Sequence, residues 1–193
     1  MDWLEWEPIL KKEATALMEK APDISIPHGL SHLERVWNRC LKLGMRLDGD
    51  LEILVAAAYL HDLGRHHGLE VHGAKSAEMA KPVLEKIKFP REKREKVLEA
   101  IRLHEQTAPK EHRNFIEAQI LYDSDKLDAF GAIGVERWIL HKNRRGYSIE
   151  EVLERLEKRY LGLHLKESRE LANESYAYTA GFFKKLREDL KAE

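Results

Sequence analysis

A single cysteine, Cys40, in 193 residues rules out any intramolecular disulfide. Its place on the apolar side of a helical repeat predicts a small buried thiol. No apolar run approaches the ~18 residues that a membrane span needs. The stretch Met1-Asp2-Trp3-Leu4-Glu5-Trp6 has neither a basic n-region nor an apolar h-region, so it does not read as a secretory signal. Neither charge dominates: 33 Lys and Arg face 34 Asp and Glu, for a formal net charge of -1. That balance removes the global field that would draw the chain to nucleic acid or a membrane surface. Basic residues are also too evenly mixed with acids to form a dedicated nucleic-acid face. Repeats, low-complexity linkers and convincing strands are absent too. The expectation is a soluble, cytoplasmic protein with no membrane partner.

Several catalytic signatures are missing as well. There is no GxxxxGK[ST] phosphate loop, no GxGxxG after a strand, no GxSxG elbow and no HExxH. One cysteine cannot supply the PCxxC element of the zinc deaminases.

What remains is helix. At 193 residues, 43% of them hydrophobic, the chain is long enough for one core without disulfide or metal staples, and residues 1–193 read as a single all-α domain. Residues 3–20 form an amphipathic segment ended by Ala21-Pro22-Asp23. From about 28 to 44, Leu33, Val36, Cys40 and Leu43 recur at helical spacing before Gly44 and the Asp48-Gly49-Asp50 turn. In 51–63 the run Ile53-Leu54-Val55-Ala56-Ala57-Ala58-Tyr59-Leu60 is apolar on every face, which predicts a helix at the centre of the domain. Gly64 suits its exit. A polar loop from Arg65 to Val71 leads to a helix over about 73–88 containing Pro82, and Pro90 opens the next. Further helices are predicted near 113–122 and 125–142, from a Ser148/Glu151 capping box to about 161, and over 167–190. Mixed runs such as Arg91-Glu92-Lys93-Arg94-Glu95-Lys96 read as solvated helix faces. Trp3 and Trp6 suit either packing across the chain's own core or a homodimer contact.

The chemistry lies in scattered histidines and aspartates. His61-Asp62 closes the most apolar helix, where two polar groups cost several kcal/mol to bury unless paired or bound to a metal. Neighbours on a helix point about 100° apart, so the pair can approach one cation from two sides. Imidazole nitrogen with carboxylate oxygen suits Mn²⁺, Fe²⁺, Co²⁺, Ni²⁺ or Zn²⁺. His28 and His32 lie at i,i+4 in His28-Gly29-Leu30-Ser31-His32. Asp123, Asp125 and Asp128 cluster where the periodicity places a helix start, and Gly131 and Gly134 follow as aids to close helix packing.

Three blocks, HGLSHLERVW, AAAYLHDLGR and YDSDKLDAFGAIGVERW, together resemble the motifs of the HD superfamily of metal-dependent phosphohydrolases. The likeness is to its small single-domain branch that includes nucleotide pyrophosphohydrolases. It implies that His32, His61, Asp62 and Asp125 hold one divalent metal. The chain departs from that branch at Gly29 and Leu30, where Asp and an aromatic are usual. His72, in HGAKSAE, and His104, in RLHE, resemble the blocks that supply a second metal, bridged to the first through Asp62. His66 and His67 read as loop residues, and His112, His141 and His164 as structural.

The resemblance implies hydrolysis of a phosphoester or phosphoanhydride, most readily of a nucleotide. A metal held by His and Asp lowers the pKa of bound water and neutralises phosphoryl charge, and phosphoryl transfer needs positioning and electrostatics above all. Arg65 and Lys126 are the candidate phosphate clamps, Glu70 a candidate for orienting or deprotonating the water, and Asp123 a candidate for orienting a ligand His. Three other readings are compatible with the motifs: a two-metal phosphodiesterase, a di-iron oxygenase on the same fold and a non-catalytic ligand sensor.

Overall fold

The computed structural model describes residues 2–20, 29–67, 71–105, 107–108 and 110–192. These hold nine α-helices and no strand among the described residues: α1 (Trp3–Met18), α2 (Leu30–Leu47), α3 (Leu51–Leu60), α4 (Gly73–Lys86), α5 (Arg91–Leu103), α6 (Ile116–Leu127), α7 (Gly131–Arg145), α8 (Ile149–Leu161) and α9 (Lys166–Ala192). Short 3₁₀ turns occupy Leu63–His67 and Lys110–His112. The all-α expectation holds. No described helix is long and apolar enough to cross a membrane.

Contacts divide the chain into two compact units, Met1–Ser124 and Asp125–Glu193. In the first, α3 is the axis, packed by α1, α2 and α5. Every residue from Ile53 to Leu60 is at most 1% exposed, which explains why its sequence has no polar face. Burial of each larger aliphatic there contributes roughly 1.5–3 kcal/mol. Asp50 caps α3 by accepting from the amides of Glu52 and Ile53. Lys93 of α5 reaches both Asp50 and Glu52 at 2.7 Å. Trp6 is buried against Phe89, and Trp3 tilts against Trp37, so both tryptophans pack within the chain's own unit. In the second unit, Leu127, Phe130, Trp138, Val152, Leu156 and Phe183 belong to the core, and α9 packs against α7 and α8. The predicted capping box of Ser148 and Glu151 starts α8.

Four local expectations are corrected. Gly44 does not stop α2, which runs on to Leu47 and ends with Asp48 in the left-handed region at φ 56°. A Cβ on Gly44 would come within 2.7 Å of both Leu51 and Leu54, so the glycine admits α3. Gly64 likewise serves contact: a Cβ there would meet the Ser76 amide at 2.8 Å and the His72 carbonyl at 2.9 Å. The third correction is the acidic block. Asp123 and Asp125 lie in the last turn of α6, and the next helix starts at Gly131, whose φ is +76°. Carboxylates at a helix C-terminus oppose its dipole. Lys126 pairs with Asp125, and Arg137 pairs with the buried Asp128 at 2.9 Å. Gly134 packs on its own chain rather than on a neighbouring helix, since a Cβ there would strike the Ala129 carbonyl.

Gly73 opens α4 against the end of α5, where a Cβ would lie 2.7 Å from the Arg102 carbonyl. Backbone cannot yield as a side-chain tip does, so Gly73→Ala should destabilise the fold by about 1–3 kcal/mol. Gly181, within α9, has nothing within 4 Å of a built Cβ, and Gly181→Ala should stabilise by up to about 1 kcal/mol. Urea unfolding of both variants checks the opposite signs; shifts of the same sign would contradict the packing described.

Candidate metal centre

The first unit brings helix ends together around one carboxylate. His61 is the C-cap of α3 and Asp62 follows it. His32 projects from the first turn of α2, His72 is the N-cap of α4, and His104 is the C-cap of α5. All five side chains are buried, none above 3% exposed. Nε2 of His32 lies 3.6 Å from one Asp62 oxygen, Oδ2. Nε2 of His61, His72 and His104 lie 3.6, 2.8 and 3.7 Å from the other, Oδ1.

Their tautomers follow from backbone geometry. Nδ1 of His61 donates to the Ala58 carbonyl at 2.8 Å and Nδ1 of His104 to the Ile101 carbonyl at 2.6 Å. A carbonyl can only accept, so these bonds place the Nδ1 protons and leave each Nε2 lone pair directed inward. Such outer hydrogen bonds are how ligating histidines are held. Within the first unit two groups therefore could hold a metal ion, His32 with His61 and Asp62, and Asp62 with His72 and His104. Asp62 is common to both. Nitrogen and carboxylate donors 3.6 Å apart are compatible with one ion about 2.1 Å from each, and this borderline donor set fits a divalent transition metal.

His72 shows what positive charge does here. Its ring lies between two carboxylates, with Nε2 at 2.8 Å from Asp62 and Nδ1 at 2.9 Å from Glu105. Burial alone would lower its pKa, but the hydrogen bonds to Asp62 and Glu105 outweigh burial and raise it from 6.5 to about 9. Arg65 opposes that rise, which places its positive charge within reach of the cluster. Glu105 is the complement: burial would raise its pKa, yet bonds from the His72 ring and amide take it from 4.5 down to about 2. The His72 ring thus bridges the Asp62 and Glu105 carboxylates, and their hydrogen bonds favour its charged form.

The other expected residues are distributed as follows. Arg65 lies in the 3₁₀ turn, its amide bonded to the Asp62 carbonyl. Asp125 and the buried Lys126 belong to the second unit and pair with each other. Asp123 is fully buried in the last turn of α6 and does not cap a helix start. Glu70 and His28 lie outside the described residues. Two residues were missed from the sequence. Glu105 accepts both the amide and Nδ1–H of His72. Arg113 is 4% exposed and donates to the carbonyls of Leu103 and Glu105. Glu105 adjoins the suspected ligand His104, which was a usable signal; Arg113 offered none.

A family profile described as HD domain matches residues 29–129. No curated protein matches the chain. Solved structures do. A Bacillus thuringiensis HD-superfamily hydrolase is 23% identical, with 99% of this chain and 100% of that one covered and a TM-score of 0.75. A Lactobacillus plantarum protein is 21% identical over 96% and 97%, with a TM-score of 0.77. Bacillus subtilis YpgQ, in complex with ADP, is 20% identical over 98% and 97%, with a TM-score of 0.69. At these identities the likeness carries the fold alone.

The His72–Glu105 pair has a consequence for pH. His72, raised to about 9, stabilises the metal-free fold fully below pH 6.5, and that stability is lost as pH rises through 9. Glu105, lowered to about 2, contributes fully above pH 4.5 and loses its contribution as pH falls toward 2. The pair's effect should therefore be largest between pH 4.5 and 6.5. Glu105→Gln should bring the His72 titration down toward 6.5, as followed by imidazole NMR in chelated protein. A titration still centred near 9 would mean that Glu105 does not hold the charge.

Proposed function

The chain belongs to the HD domain family, and from that premise we propose that it is a divalent-metal-dependent phosphohydrolase acting on a small phosphorylated substrate, in particular a nucleotide. The observation that carries the reading is the convergence of four buried imidazole Nε2 atoms on the Asp62 carboxylate. In this reading His32, His61 and Asp62 hold the first ion. Asp125 joins them by its place in the third motif block, an assignment that rests on the motif. Asp62, His72 and His104 hold a second ion. When bound, the metal supplies a Lewis acid that lowers the pKa of coordinated water and neutralises phosphoryl charge.

The chain's own groups do the positioning. Asp62 turns Oδ2 toward His32 and Oδ1 toward His61, His72 and His104, and the Nδ1 bonds of His61 and His104 prevent their rings from turning. Arg65, next to the cluster, is the group we assign to gripping a phosphate oxygen. Lys126 is assigned a similar role, for which it would exchange Asp125 for substrate. Glu70 is proposed to orient or deprotonate the attacking water. The nucleotide preference draws support from the ADP held by YpgQ, which shares the fold. A shared Asp62 also suits two-metal phosphodiester hydrolysis, so cyclic dinucleotides belong among the substrates tested.

Phosphate and pyrophosphate release from nucleoside mono-, di- and triphosphates and cyclic dinucleotides, with Mn²⁺, Co²⁺ or Ni²⁺ added, is the test. Asp62→Ala should abolish both metal binding and release. His104→Ala should cost one of two bound ions. Full activity in Asp62→Ala, or silence of the metal-loaded wild type across the panel, would overturn the reading.

A further inference from the structure

α5 ends at Leu103, and the last carbonyls of any helix have no partner within it. Here those carbonyls flank His104, and they are not left to water. The Ile101 carbonyl takes the Nδ1–H of His104 itself. The Leu103 and Glu105 carbonyls, one on each side of His104, both accept from the same nitrogen of Arg113, at 2.7 and 3.1 Å. The guanidinium lies 4.0 Å from the centroid of the Tyr122 ring on α6, a cation–π arrangement. The backbone of Arg113 is anchored as well, its carbonyl accepting from Gln119 of the same helix at 2.8 Å. One buried cation thus fastens the exit of α5 to α6.

We propose that Arg113 is the positioning residue for the His72–His104 donor set: by clamping the carbonyls on both sides of His104 it fixes the direction of the His104 ring and of the Glu105 carboxylate, and through Glu105 that of His72. The proposal rests on the reading of Asp62, His72 and His104 as a metal-binding set. Its reach is greater than one ligand, because Glu105 holds both the amide and the ring of His72. Arg113 acts on the carbonyls of Leu103 and Glu105, whereas His32 and His61 stand on α2 and at the end of α3, so the other donor set should not depend on it. The planar guanidinium also explains the residue type. It serves carbonyls at two different positions while lying flat on an aromatic ring, which a lysine ammonium on a flexible stem cannot reproduce.

The test compares Arg113→Met and Arg113→Lys with wild type in the full chain. Circular dichroism and thermal unfolding first establish that each variant is folded. Mn²⁺ is then titrated by calorimetry, and the His104 Nδ1–H resonance is recorded in chelated protein. Loss of an outer positioning group typically costs 10–100-fold in metal affinity. Arg113→Met should show that loss at the second ion alone, together with a broadened or displaced His104 resonance. Arg113→Lys, the milder change, should recover only part of both; it carries the comparison if the methionine variant does not fold. Equal weakening of both ions, or folded variants with wild-type affinities and an unmoved resonance, would overturn the proposal. If wild type takes up one ion or none, the metal reading of this set fails. The His104 resonance then decides for Arg113 independently: a change in the variants supports the clamp, and no change overturns it.

Discussion

A carboxylate removed from water must find positive charge or strong donors, and the Asp62 group imposes that demand on the first unit. It is 3% exposed at the end of a helix that is otherwise wholly apolar. Hydrocarbon offers it nothing, and an isolated buried charge would be neutralised rather than tolerated. The imidazoles of His32, His61, His72 and His104 surround it, and Nε2 of His72 meets it directly at 2.8 Å. A divalent ion answers the same demand with more charge, which is why the arrangement reads as a metal centre.

The remaining architecture can be understood as a means of presenting those rings. α3 supplies a stiff, buried axis that delivers His61 and Asp62 at its end. α4 begins and α5 ends beside them, drawn close because Gly64 and Gly73 lack side chains where neighbouring backbone approaches. Helix ends suit the task, since they leave carbonyls without helical partners. Two of the histidines use such carbonyls to fix their own tautomers. The exit of α5 is further closed by Arg113, so the polar groups around the centre hold one another in place. A network of this kind is rigid when complete and costly when any member is lost.

These constraints bear on function through charge. Membership of the HD domain family and a donor set that suits a divalent transition metal both point to metal-assisted chemistry. Asp62 divides its two oxygens between His32 on one side and His61, His72 and His104 on the other. Arg65 adds a cation at the edge of the cluster, where an anionic substrate would gain most from it. The acids at the end of α6 oppose that helix's dipole, so a role other than helix capping must account for them.

Much of this was legible in the chain. Helical periodicity is a local property, and the apolar run of 53–60 placed α3 at the centre. The motif blocks picked out His32, His61, Asp62, His72 and His104, all of which the fold brings to one point. Errors fell where a local signal had two meanings. Gly44 and Gly64 read as helix stops but admit neighbouring backbone or side chains, and Asp123 to Asp128 read as a helix start although α6 ends there. Glu105 and Arg113 stayed hidden in their roles because those roles are contacts: Glu105 meets the amide of a residue 33 positions away. The sequence by itself determined an all-helical chain and the chemical type of the His and Asp side chains that cluster, since periodicity and side-chain type are written residue by residue. Only the tertiary structure decided which tautomers the histidines around Asp62 adopt and which cation clamps them, because those depend on helix ends meeting in space.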